Sequence, residues 1–441
     1  MYDVGAPALE SQMPLWLTLF ACTPDAPVPE TSTEAQDRLI EQLVTAAPGA
    51  VIELPAGTIQ LDRGLSLSAD GVTIRGAGMD KTILSFKGQK SGAEGLLVTG
   101  NNFVIEDLAI EDSLGDALKV KGSKGVTIRR VRAEWTGGPK AGNGAYGLYP
   151  VQCEDVLIEG SVAIGASDAG IYVGQSKNIV VRDSRAEYNV AGIEIENSTG
   201  SDVYGNTATH NTGGILIFDL PDLPVKNGAG HRVYKNTVVD NNTDNFAPEG
   251  NTVAMVPPGT GMLVMAANDV EVFENTIEKH DTLAVAVVSY QIMGNELKDA
   301  AYDPYVEGVW VHDNVITDAG QRPRGMLVKA AAFAMGGTMP ALLWDGIVAA
   351  DRLGADGQPA PDKRICMQRN GDGGFVNVDA PNNLKNLSRD LTPHDCALPQ
   401  RAPLSLPQLA EAAVAEPAVA EPAVAEPAVA EPVEATPATA P

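Results

Sequence analysis

Short apolar bursts of three or four residues, closed by Gly, Asn or Asp, run through most of this chain. One burst returns as Gly95-Leu-Leu-Val, Ala117-Leu-Lys-Val, Gly147-Leu-Tyr-Pro, Gly170-Ile-Tyr-Val, Gly192-Ile-Glu-Ile, Gly214-Ile-Leu-Ile, Gly261-Met-Leu-Val and Ala284-Val-Ala-Val. A second burst follows, as in Phe103-Val-Ile, Val126-Thr-Ile, Val156-Leu-Ile, Ile179-Val-Val, Val270-Glu-Val and Val309-Trp-Val. Alternation within the bursts marks strands with one buried face. The central steps are 23 residues from Gly147 to Gly170, then 22 to Gly192 and 22 to Gly214. That length fits three short strands and three corners. Repetition in register predicts a solenoid in which each strand pairs with its counterparts above and below. Asn178, Asn206, Asn236, Asn275 and Asn314 recur at corners. Asn tolerates left-handed backbone there and can bond its neighbours in the next turn.

Before the repeat, residues 34–46 have helical spacing, with Leu39, Ile40, Leu43 and Val44 on one face and Pro48-Gly49 closing the segment. This predicts a helix that covers the first turn of the solenoid. Longer insertions fall at 134–146, 219–231, 241–260 and 289–307. In solenoids such insertions gather on one face and shape a binding site. From about residue 412 the sequence Ala-Val-Ala-Glu-Pro repeats, with no core-forming pattern. The expected organisation is a leader over 1–32, the solenoid over 33–320, further turns and a cap over 321–400, and an extended, disordered acidic tail over 401–441.

The stretch from about 45 to 320 resembles the right-handed parallel β-helix repeat shared by pectate lyases and by alginate epimerases and lyases. Its opening, Ala47-Pro-Gly-Ala-Val-Ile-Glu-Leu-Pro-Ala-Gly-Thr58, is similar to the usual first turn of that superfamily. The resemblance implies an all-β, right-handed parallel β-helix whose partner is a polysaccharide. Alginate epimerases carry Tyr-Gly-Phe-Asp-Pro-His on one turn, with a Lys on the turn before. The corresponding residues here are Tyr146-Gly147-Leu148-Tyr149-Pro150-Val151, preceded by Lys119 and Lys121. Tyr, Gly and Pro match, whereas the Asp is replaced by Tyr149 and the His by Val151.

In the burst Gly-Ile-x-Val the apolar residues face inward and x faces out. The outward positions include Lys119, Tyr149, Tyr172 and Glu194 on consecutive turns. Turns lie about 4.8 Å apart, so these four should form one ladder roughly 14 Å long. Lys121 and Glu196 fall in the next outward column, Asp116, Tyr146 and Asp168 at the entry to the same strands, and Gln152 at one exit. A base, an acid and flat aromatic faces along a groove suit sugar chemistry. In lysis or epimerisation of a uronan, Lys119 would neutralise the sugar carboxylate, Tyr149 or Tyr172 would move the proton, and Glu194 would orient or accept. Asp116, Lys121, Tyr146, Gln152, Asp168 and Glu196 would bind substrate. Glu194 and Asp168 also fit the carboxylate pair that hydrolysis needs, about 5–9.5 Å apart. A binding or structural solenoid with an ordinary polar outer face is the alternative.

Composition refines this picture. Hydrophobic residues make up 44%, enough for a long core, and aromatics only 5%, which suits short strands and tight corners. The formal net charge of −26 sets nucleic-acid partners aside. It also counts against an acidic glycan at long range, although salt screens that repulsion beyond about 8–10 Å. No cofactor is expected: Asp299, Asp303 and Glu307 are acidic neighbours, but their spacing does not mark a Ca²⁺ site. Cys366 and Cys396 lie in an irregular Asn/Asp/Gly-rich region and are expected to form a disulfide, two unpaired thiols being the alternative. Cys153 reads as structural. The apolar run Met13–Ala21 ending at Cys22 resembles the end of a bacterial lipoprotein signal. That resemblance implies lipidation of Cys22 and a place in the periplasm or at the cell surface, anchored to the outer membrane. No segment is long enough to span a bilayer.

Overall fold

The computed structural model describes residues 32–409. Cys22 and the leader, and most of the Ala/Val/Glu/Pro-rich tail, lie outside the described residues.

The bursts form the strands that the alternation predicts, and every pairing between them is parallel. The chain is a right-handed parallel β-helix. The first strands of successive turns stack into one sheet of eleven strands, which includes Leu118–Lys121, Tyr146–Val151, Ala169–Gly174, Ala191–Glu196 and Gly213–Phe218. Second and third strands form a continuous nineteen-stranded sheet. Ile171, Ile193 and Ile215 stack on one another inside, as do Val173, Ile195 and Ile217. Cys153 belongs to this interior; burial pushes its thiol up, and Sγ donates to Val120 O and Val151 O.

Polar ladders hold the corners. Asn206, Asn236, Asn275, Asn314 and Asn370 form one, the side-chain oxygen of each of the last four accepting from the Asn one turn below. Ser161 and Ser184 extend it toward the N-terminus. A second ladder joins Asn189, Asn211 and Asn241 and ends on His280. This ladder explains the Gly in the repeated burst. A Cβ on Gly170 would lie 2.5 Å from Asn189 Nδ2, and one on Gly192 would lie 2.8 Å from Asn211 Nδ2. Asn178 works differently: it takes a left-handed backbone, φ 56°, and its amide donates to Asp155.

Both ends are covered. Helix Ser32–Val44 packs Leu39 and Leu43 onto the first turn, while Gln36 accepts from the Asp62 amide. Val44, expected on the apolar face, is exposed. At the other end the strands Leu342–Trp344, Ile365–Gln368 and Phe375–Asn377 make the last pairings. Beyond them Asn377 bridges to Ser388, and His394 packs against Phe375 and Trp344. Cys366, on the last second strand, is disulfide-bonded to Cys396 of this cap. The bond closes a separation of 30 residues. Its reduction is expected to cost about 2 kcal/mol, since a loop this size carries roughly 3 kcal/mol of closure entropy and an end cap retains other contacts. Proteolysis after reduction should cut first within 380–400; uniform loss of the whole β-helix would contradict a local role.

Residues 401–409, expected to begin the free tail, lie along the second-strand sheet. The Arg401 amide donates to Glu271, the Leu404 amide to Asp202 and the Gln408 side chain to Asp155 O. Leu406 is buried with Leu157 and Val180. Among the described residues no helix is long and apolar enough to cross a membrane.

Candidate functional site

The insertions at 135–145, 219–228, 240–259, 289–308 and 320–341 all lie where the chain enters or leaves the first-strand sheet. The outward side chains of that sheet are therefore the ones the insertions reach. Lys119 pairs with Tyr149 across two turns, and Tyr172 with Glu194 across the next two. Glu196 lies in register with Gly174 before it and Phe218 after it.

These residues do not share one open groove. Lys119, Tyr146 and Tyr149 are half-buried, while Asp168, Tyr172, Glu194 and Glu196 are buried, Glu194 being 1% exposed. The cause is the 240–259 insertion. Asn251 donates to Asp168 Oδ2 at 3.1 Å, and Val253 and Val256 join an apolar cluster with Tyr172, Leu216 and Phe218. Two predicted residues stand apart. Lys121 is exposed at the end of its strand beside Val151. Gln152 is exposed in a left-handed corner, φ 56°, and reaches only Gln175, at 3.5 Å.

The half-buried part is an ion-pair cluster. Lys119 Nζ lies 3.1 Å from Glu94 and 3.4 Å from Asp116, and sits 5.0 Å from the Tyr149 ring centre. Burial raises the Asp116 carboxyl, and Lys119 opposes that. Glu94 escaped the sequence reading, although Leu96 pairs with Leu118 and so puts Glu94 in the same entry column as Asp116.

Beside the ion pairs lie three rings and three buried carboxyls. Tyr146, Tyr149 and Tyr172 pack with ring centres 4.4–4.9 Å apart. The Tyr172 hydroxyl donates to Glu196 Oε1 at 2.9 Å. Burial, reinforced by Asp168 and Glu196, pushes Glu194 well above the usual carboxylate range. Burial also raises the Glu196 carboxyl, and the bond from the Tyr172 hydroxyl opposes that. Glu194 Oε2 is buried and meets no hydrogen-bond partner among the described residues. Asp168 is pushed up to about 7, by burial first and by the Glu196 charge second. Burial raises all three phenols as well. At neutral pH the tyrosines are donors, and the carboxyls carry the titratable protons.

Among the described residues no group of three or more His, Cys, Asp or Glu is arranged to hold a metal ion. Asp299 is ion-paired with Lys226, and Asp303 and Glu307 with Arg352. His231 and His280 are buried and pushed down to about 3.

Residues 140–297 match a family model described as a right handed beta helix region. No curated protein matches the chain. Among solved structures, the chain is similar to the A-module of mannuronan C-5 epimerase AlgE4 from Azotobacter vinelandii, at 15% identity and a TM-score of 0.46, covering 77% of this chain and 90% of that one. It is similar to an alginate lyase from Paenibacillus sp. str. FPU-7, at 18% identity and a TM-score of 0.43, covering 67% and 96%. It is also similar to the catalytic unit of the GH87 alpha-1,3-glucanase from Streptomyces thermodiastaticus strain HF3-3, at 19% identity and a TM-score of 0.42, covering 64% and 51%. These likenesses are likenesses of fold.

Proposed function

We propose that this chain is an extracytoplasmic, carbohydrate-active β-helix that takes a glycan against its first-strand sheet and works on it with the Asp168, Glu194 and Glu196 carboxyls. One observation carries the reading: Asp168, Glu194 and Glu196 are buried side by side on two adjacent turns, and the Tyr172 hydroxyl donates to Glu196. A carboxyl whose burial favours its protonated form, with a second carboxyl on the neighbouring turn, is what glycosidic hydrolysis uses. Glu194 is the proton donor to the leaving oxygen, Asp168 on the neighbouring turn the base or nucleophile, and Tyr149 and Tyr146 offer ring faces to the sugar. Substrate entry requires the 240–259 insertion to move, breaking the bond from Asn251 to Asp168. The charge balance favours a neutral glycan, because Lys119 is already paired with Glu94 and Asp116 and the neighbouring turns add the carboxyls Asp168, Glu194 and Glu196.

A second reading, uronan lysis or C5-epimerisation, rests on Lys119 over the Tyr149 ring. It requires Lys119 to leave Glu94 and Asp116 for the sugar carboxylate, and a phenol raised by burial to release its proton. The disulfide fits an oxidising compartment such as the periplasm or cell surface. Lipidation at Cys22 would add attachment to the outer membrane.

The two chemistries leave different products. Purified protein is incubated with neutral glucans and with alginate and pectate. New reducing ends, unsaturated ends by absorbance, and proton exchange at C5 are followed. New reducing ends from a neutral glycan are expected, falling at least about 100-fold in Glu194→Gln. That variant should fold normally, because glutamine is a close match to a protonated Glu194. Unsaturated ends or C5 exchange would favour the second reading. Glycan binding without any product would make the chain a non-enzymatic, envelope-anchored binding solenoid, and neither binding nor product would end the glycan reading.

A further inference from the structure

Beyond the carboxyl cluster, the outer face of the first-strand sheet turns apolar within one strand. Glu194 is followed in register by Leu216, Leu263, Ala286 and Leu343, and Glu196 by Phe218, Met265 and Val288. Outward positions on a β-helix ordinarily meet water, and this stretch does not. Instead Phe218, Leu263, Met265, Ala286, Val288 and Leu343 form the floor of a cavity of about 790 Å³. The roof comes from separate insertions: Val256 from the 240–259 segment, Met293 from the turn Tyr290–Met293, and Val328 from the helix Met326–Ala334. The volume falls within the range of small-molecule sites, about 300–1,000 Å³.

The lining defines the ligand. Among the described residues no charged side chain lines the cavity, although the chain carries 57 acidic and 31 basic residues. Its polar lining is confined to threonine, glutamine and asparagine side chains. Among the described residues Phe218 supplies the one aromatic ring, while Met255, Met265, Met293 and Met326 give unbranched, polarizable side chains that adapt to a flexible guest. Two of these methionines also face water, Met255 at 60% and Met326 at 87% exposure, and Phe333 on the same helix as Met326 is 87% exposed. Large apolar side chains held out in water beside an uncharged cavity mark an entrance for an apolar molecule. A sugar or a short polar metabolite would find too few hydrogen-bond partners here to offset its own desolvation.

We infer that this cavity is a binding site for a hydrocarbon chain, the alkyl or acyl tail of an amphiphile that enters past Met255 and Met326. The inference stands on the cavity and its lining, and does not require the carboxyl cluster to act on a glycan.

The test is calorimetric titration of the full chain with octyl, decyl and dodecyl maltoside, each below its micellar concentration, with maltose as the head-group control. One molecule should bind per chain, about fourfold tighter for each added methylene, the factor for burying one CH₂ group. Maltose alone should not bind at this site. Ala286→Trp fills the cavity from its floor, and Val328→Gln makes its roof polar. Each should weaken dodecyl maltoside at least tenfold while the far-ultraviolet circular dichroism stays unchanged, and either variant suffices if the other fails to fold. Affinity independent of chain length, or undiminished in a folded variant, would overturn the assignment. So would a chain that binds no alkyl maltoside and instead self-associates in sedimentation, since a second copy would then be the occupant.

Discussion

Asn236→Asp is expected to destabilise the protein by about 3–6 kcal/mol at pH 8, and by visibly less at pH 4. Asn236 is 1% exposed and its side chain makes four hydrogen bonds. Its Nδ2 donates to Val203 O and to Asn275 Oδ1; its Oδ1 accepts from the Asn206 amide and from Asn206 Nδ2. Aspartate keeps the shape and the acceptor but turns both donors into an oxygen aimed at two oxygens. Each buried group left without a partner costs about 1–3 kcal/mol, and more where a charge is involved. Protonation at low pH restores one donor, so the deficit shrinks. A solenoid gives no local escape, because a turn that loosens loses its contacts with the turns on both sides. Urea denaturation at the two pH values measures the effect. A loss below 1 kcal/mol, or one independent of pH, would show that the ladder is ornamental to the fold.

The wild-type protein is expected to lose stability as pH rises from 6 to 8, by about 3 kcal/mol. Asp168, Asp219 and Asp345 are each pushed up to about 7, chiefly by burial. A carboxyl whose folded acidity is raised contributes stability that is complete below its unfolded pKa near 4 and is lost as pH climbs through the folded value. Between pH 6 and 8 each such group loses about 1.4 kcal/mol, or roughly 4 kcal/mol for the three. His231 and His280 oppose this. Their folded pKa is about 3, so they favour the folded state as pH rises through the unfolded value near 6.5. That gain is roughly 0.8 kcal/mol each over the same interval and does not cancel the loss. Burial also lowers His394, which adds to the opposing side, while the raised Glu194 and Glu196 add to the fall. Denaturation at constant ionic strength decides it. Equal or greater stability at pH 8 would mean that these carboxyls are hydrated in solution, and Asp168→Asn should remove part of the slope.

Much of this molecule is legible in its sequence, for a physical reason. A β-helix repeats the same local problem every 22 or 23 residues, so Gly170, Gly192 and Gly214 announce both the strand and the register. The register in turn placed Lys119 beside Tyr149 and Tyr172 beside Glu194. Burial was not legible. It depends on Asn251, 83 residues from Asp168, and on insertions whose path no periodicity constrains. The ionic state of Lys119 lay between these extremes. Glu94 occupies the entry column and could have been found by counting back two residues from Leu96. Asp168 does lie at the entry to its strand, one residue before Ala169, which pairs with Tyr146.

The covered ends have a consequence for how the protein behaves in company. Each turn of a parallel β-helix is a template for the next, since its exposed edge offers a full set of backbone donors and acceptors in the right spacing. Left bare, either end would recruit another copy and grow a fibre. The helix that buries Leu39 and Leu43 stops growth at one end, and the disulfide-bonded segment that places His394 over Phe375 and Trp344 stops it at the other. These caps therefore act as chain terminators as well as stabilisers. A chain that lost the C-terminal one would present a sticky β-edge long before it lost its core.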